Sequence, residues 1–143
     1  MIASDIAVWE FRIGRYLGSL LAAALLSFPF AGVALASSDY HSTLNYNWDL
    51  WGAVRSYSGT TIGIDYWSTT IPLGPTGTQN AGLYRHSCLF FVCSDDLVGS
   101  TSRPYAGHIA GSWSASSGDY RFHFWKNQDG VQIVSNDVWM WAR

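Results

Sequence analysis

The chain has 143 residues, with eight lysines and arginines against ten aspartates and glutamates and a formal net charge of −2. So thin and even a balance excludes nucleic acid as a partner, because phosphate binding needs clustered cations, and it leaves no polybasic patch for anionic membranes. Hydrophobic residues make up 48% of the sequence and aromatic residues 16%, a load that points to a packed domain rather than a disordered one.

In chain order, Arg12 and Arg15 are followed by a nearly unbroken apolar stretch from Leu17 to Phe30, and then by Ala34-Leu35-Ala36. Basic start, apolar middle and small residues before Ser37 predict a cleavable, helical signal peptide over residues 1–36. Pro29 and Gly32 interrupt the apolar run and no basic stop-transfer cluster follows it, so no membrane span is expected after cleavage. Asp5, Trp9 and Glu10 are poor residues for such a leader and point to a translation start downstream of Met1. The expectation is a secreted, extracellular protein whose single domain covers residues 37–143.

That domain keeps Lys126 as its one lysine and has no glutamate, whereas aromatic and β-branched residues alternate with Ser and Gly. Helices lean on Glu, Lys, Ala and Leu, so the bias is towards strands. Residues 37–43 read as an extended or frayed terminus. Leu44, Tyr46, Trp48 and Leu50 alternate with Asn45, Asn47 and Asp49, a period of two that predicts a strand. A second strand is predicted over 60–70, with Ile62, Ile64 and Tyr66 on one face and Gly63, Asp65 and Trp67 on the other. Pro72 to Gly77 must be a loop. Residues 83–92 are apolar and ambiguous, 94–104 read as a polar loop, and 105–113 as a short strand. Tyr120, Phe122 and Phe124 alternate with Arg121, His123 and Trp125 ahead of Asn127-Gln128-Asp129-Gly130, which predicts a β-hairpin with its return strand at Val131 and Ile133. Residues 138–141 form a last strand. The sum is an all-β protein, a small antiparallel β-sandwich of six to eight strands. Gly118-Asp119-Tyr120-Arg121-Phe122 resembles the G-x-Y-x-F strand of secreted bacterial β-sandwich modules, a five-residue likeness that identifies no family.

Cys88 and Cys93 are expected to pair in an exported chain. Along one strand they would sit about 16 Å apart on opposite faces, whereas a bridge needs Cα atoms within about 7 Å. A bridge therefore forces Leu89, Phe90, Phe91 and Val92 into a raised apolar tip suited to a protein partner or a membrane; the alternative is a buried strand with reduced or differently paired thiols. Cys-x4-Cys lacks zinc spacing, and no metal or other cofactor is expected.

None of His41, His86, His108 and His123 falls in a ligand or catalytic motif, and Asp95-Asp96 is the one adjacent acidic pair. A calcium site there, aided by Asp65 or Asp129, has no supporting motif. The reading therefore leans away from an enzyme, although a serine hydrolase can be assembled from scattered residues. Seven of the eight tryptophans lie in the domain. If their rows adjoin, Arg121, His123 and Trp125 together with Trp139 and Trp141 form an aromatic platform that stacks on sugars or grips a protein. Three functions compete. The first is a secreted non-enzymatic interaction module for a protein partner or cell-surface glycan. The second is a bacteriocin-like antimicrobial or toxin component acting on a cell envelope, and the third a secreted enzyme with a dispersed site.

Overall fold

The computed structural model describes residues 38–143. The expected leader over residues 1–36 lies outside the described residues. All described regular structure is strand: β1 (Ser38–Tyr46), β2 (Asp49–Trp51), β3 (Arg55–Tyr57), β4 (Thr61–Ile71), β5 (Thr78–Leu89), β6 (Val92–Pro104), β7 (Gly107–Ser114), β8 (Gly118–Lys126) and β9 (Gln132–Ala142). Nine strands stand where six to eight were expected.

Alternation sets the layers. In β4, Ile62, Ile64 and Tyr66 turn inward at every second position, and in β8 Tyr120, Phe122 and Phe124 do the same. The pleat sends the intervening side chains to the opposite face. One sheet has the order β1-β9-β4-β7; the other has β2-β8-β5-β6, with β3 also pairing β8. Every pairing is antiparallel. Among the described residues, the inner rows of both sheets meet in a core of aromatic and branched side chains.

Polar groups taken into this core are paired. Gln79, 1% exposed, accepts from the hydroxyls of Tyr46 (3.2 Å) and Tyr66 (3.1 Å), and its amide nitrogen reaches Ser68 Oγ (2.8 Å) and the Tyr105 carbonyl (2.7 Å). Burial pushes the Tyr46 and Tyr66 hydroxyls well above the ordinary tyrosine range, so both stay neutral donors. Lys126 tucks under Tyr105, with its ammonium 4.9 Å from the ring centroid, and donates to Asp129 and to the Asn127 carbonyl (2.9 Å).

Residues 38–43 take the extended of the two expected forms: they belong to β1 and pair with β9 from Ser38↔Ala142 onward. Three expectations need correction. The alternation from Leu44 to Leu50 is split between two strands, because the chain passes from one sheet to the other between Tyr46 and Asp49. Residues 94–104 form no loop. They are the body of β6, an edge strand whose Ser94, Asp96, Ser100 and Ser102 are exposed along an unpaired rim and whose register shifts beside Leu83/Tyr84; polar edges with bulges are how sheets avoid pairing with foreign strands. Finally, β8 and β9 are strands but not a hairpin. β8 pairs with β2, β3 and β5, and β9 with β1 and β4, so Asn127–Gly130 carries the chain between sheets. A tight turn and two alternating flanks do not tell whether the flanks bond each other or face each other across a core.

Candidate functional site

The two outer faces differ, and their register explains how. On the β1-β9-β4-β7 sheet, His41 pairs with Trp139, Trp139 with Asp65, and Trp67 with His108. Side chains directly opposite on one face touch, which produces two similar units. The His108 ring stacks on Trp67 at 5.2 Å and its Nε2 lies 2.9 Å from Asp65 Oδ1. The His41 ring lies nearly parallel to Trp139, 12° between planes, with its Nδ1 2.8 Å from Asp137 Oδ1. Between the units runs a groove of about 460 Å³ whose lining includes His41, Asp65, Trp67, Asp137 and Trp139.

The groove exists because the pairing slips there. The β4–β9 register shifts between Tyr66 and Thr69, and the β1–β9 register shifts between Ser42 and Leu44, so β9 carries one extra residue against each neighbour around Asn136 and Asp137. Bulges re-aim side chains in this way. Trp139 is held in place, since its Nε1–H donates to Asp39 (2.9 Å), which also accepts from Arg143 (3.0 Å). Those bonds, Arg143 first, hold the Asp39 carboxyl below its usual range. Trp141 lies flat over β4 because position 63 is glycine; a Cβ there would come within 2.2 Å of the indole.

On the β2-β8-β5-β6 sheet the aromatics use up one another's faces. His123 is sandwiched between Trp51 (3.9 Å, 3° between planes) and Trp125 (4.8 Å), with Tyr84 edge-on to Trp51 at 4.9 Å. The Arg121 guanidinium covers Trp51 at 4.3 Å. Arg121 is in turn bound by Asp95, and its guanidinium holds the Asp95 carboxyl below the usual range, with His86 Nδ1 adding a second contact at 2.9 Å. Trp67, 70% exposed, is the most open indole of either face, whereas Trp139 and Trp125 are both half-buried.

The expected platform is therefore two surfaces. Arg121, His123 and Trp125 lie on one sheet and Trp139 and Trp141 on the other, because β8 and β9 belong to different sheets. The half that faces an open groove contains Trp67, His41, Asp65 and Asp137, which the expected platform omitted. The alternation Gly63, Asp65, Trp67 pointed to their common face, whereas their proximity to Trp139 depends on strands far apart in sequence.

The cysteines are bridged, with Cα atoms 4.0 Å apart. Strand and bridge proved compatible, since the chain reverses at Phe90-Phe91 and Cys88 and Cys93 are directly opposite in the β5–β6 hairpin. Beyond the bridge, Leu89, Phe90, Phe91 and Val92 are 73%, 89%, 102% and 76% exposed. Asp95, His86 and Cys88 follow one another in the order of an acid–base relay, His86 Nε2 lying 3.3 Å from Cys88 Sγ, but the sulfur is tied up in the bridge. The same bridge occupies both thiols of the one metal-like grouping among the described residues, His86, Cys88 and Cys93. The aspartates named for calcium are engaged separately: Asp65 by His108, Asp95 by Arg121 and Asp129 by Lys126.

An all-β sandwich with aromatic clusters on both faces and a disulfide-closed hairpin is the class these features define. No protein-family model, no curated protein and no solved structure matches the chain.

Proposed function

We propose that this domain is a secreted, non-enzymatic binding module that takes a cell-surface glycan in the groove between Trp67 and Trp139. The reading is carried by two tryptophans, each beside a histidine that contacts an aspartate, with both tryptophans, both aspartates and His41 lining one open groove. An indole face takes the C–H face of a pyranose ring, and carboxylate and imidazole groups beside it exchange hydrogen bonds with the hydroxyls at the ring edge. A few fixed polar groups around an apolar floor are what orient a small ligand. Trp139 is pre-oriented by Asp39 and Arg143, so little side-chain freedom is lost on binding. Export is supported by the leader-like segment over residues 1–36 and by the bridged cysteines, which suit an oxidising compartment.

Intrinsic tryptophan fluorescence, titrated with solubilised cell-wall polysaccharide, tests the proposal. Binding should be saturable, and Trp67→Ala or Trp139→Ala should weaken it about tenfold each, the loss of one stacking contact. Trp125→Ala, on the far face, should bind as wild type. Equal affinity of all three variants would sink the reading.

A further inference from the structure

The β5–β6 hairpin ends in a ladder whose chemistry changes rung by rung. From the turn inward the opposed pairs are Leu89↔Val92, Cys88↔Cys93, Ser87↔Ser94, His86↔Asp95 and Arg85↔Asp96. The outermost rung and the turn are apolar, the disulfide comes next, then two hydroxyls 3.1 Å apart, then two pairs of cation-forming group and carboxylate. We propose that the Leu89–Val92 tip inserts into the outer part of a lipid leaflet and anchors the domain on a bilayer surface.

Three features select lipid over a protein partner. First, Leu89, Phe90, Phe91 and Val92 are all open to solvent, so the whole end of the hairpin beyond the bridge is apolar. A protein interface covers one face of a hairpin, whereas a fluid apolar medium covers both. Second, the length fits. The turn and one rung rise about 7 Å above the bridge at strand spacing, within the roughly 5–10 Å reached by interfacial anchors. Two strand residues fall far short of the roughly nine to eleven a spanning strand needs. The bridge and the serines then occupy the depth of the headgroups and the charged rungs stand in water. Third, the charges below the tip are balanced, Asp95 and Asp96 standing opposite His86 and Arg85 across the hairpin with Arg121 also bound to Asp95, which suits a zwitterionic headgroup layer.

The backbone agrees. Leu89 and Val92 pair across the hairpin, so a two-residue turn is all the unpaired main chain that enters the leaflet. Phe90 sits at φ 57°, a conformation that favours Gly or Asn. A fully exposed phenylalanine there costs stability and gains nothing in the free protein, which is the mark of a residue kept for contact. This anchor stands apart from the glycan groove, sharing none of its residues.

The test is flotation of the exported protein, as recovered after secretion, with phosphatidylcholine vesicles that carry no glycan. The wild type should partition on the order of 10⁴ M⁻¹, as one acyl chain does, and binding should survive about 0.5 M salt, where charge attraction is screened. Phe90→Asn with Phe91→Ser should lower partition by at least about tenfold, while Trp67→Ala leaves it unchanged. The double variant removes only exposed groups, so its melting temperature at or above that of the wild type shows an intact fold. The proposal is overturned if the wild type stays unbound at millimolar lipid, or if the double variant floats equally well. It is also overturned if binding needs anionic lipid and salt releases it, or if the tip mediates a dimer that ignores vesicles.

Discussion

Lys126 is the one buried charged residue among the described residues, and its survival there depends on Asp129. Asp129 accepts from the ammonium, from the Tyr105 hydroxyl and from the Val131 N–H (3.0 Å); these bonds, Lys126 first, hold its carboxyl well below the usual range. Desolvation, with Asp129 beside it, pushes Tyr105 up to about 12. The sign of the pH effect follows. A carboxyl whose folded pKa is depressed contributes stability that is complete above its unfolded value, near 3.8, and that drains away as pH falls from there towards the folded value. Asp129→Asn should therefore be less stable than wild type at pH 7, and the gap should close below about pH 4. Urea midpoints at pH 7, 4 and 2.5 check this; a gap that stays constant with pH would contradict it. Neither this clamp nor the two His–Asp pairs of the groove was legible in the sequence. Asp129 reads as a turn residue, and His41 and Asp137 are 96 positions apart.

At the scale of elements, alternation was a reliable guide to which side chains turn inward and a poor one to which strands pair. Ile62, Ile64 and Tyr66, and likewise Tyr120, Phe122 and Phe124, are buried as their period of two requires. The turn residues Asn127–Gly130 gave a false hairpin because a sharp reversal serves a crossover between sheets equally well. β6 was missed because its Ser, Thr, Asp and Gly carry the composition of a loop; as an edge strand it takes its regularity from hydrogen bonds to β5 rather than from an apolar face. The cysteines posed a paradox that the hairpin resolves. Their bridge closes so short a loop that chain entropy assigns it only about 2 kcal/mol. Cys88→Ser with Cys93→Ser should thus lose about that much in a denaturant melt, keep the sandwich, and speed amide exchange first over residues 87–94. Global unfolding of this variant would mean that the bridge supports far more than the end of one hairpin.

Taken whole, the sandwich separates its aromatic surface into two arrangements. One face stacks Trp51, His123 and Trp125 upon one another and closes itself off with Arg121; the other leaves Trp67 and Trp139 on either side of a groove. The abundance of tryptophan was plain from composition, but the division was not, because it depends on β8 and β9 lying in opposite sheets. In the proposed function the open groove, and not the stacked face, receives the ligand. The indole N–H resonances of ¹⁵N-labelled protein report this during titration with cell-wall oligosaccharides. The Trp67 and Trp139 signals should move together and saturate while those of Trp51 and Trp125 stay fixed. Movement of the Trp51 and Trp125 signals with Trp67 and Trp139 unmoved would contradict it.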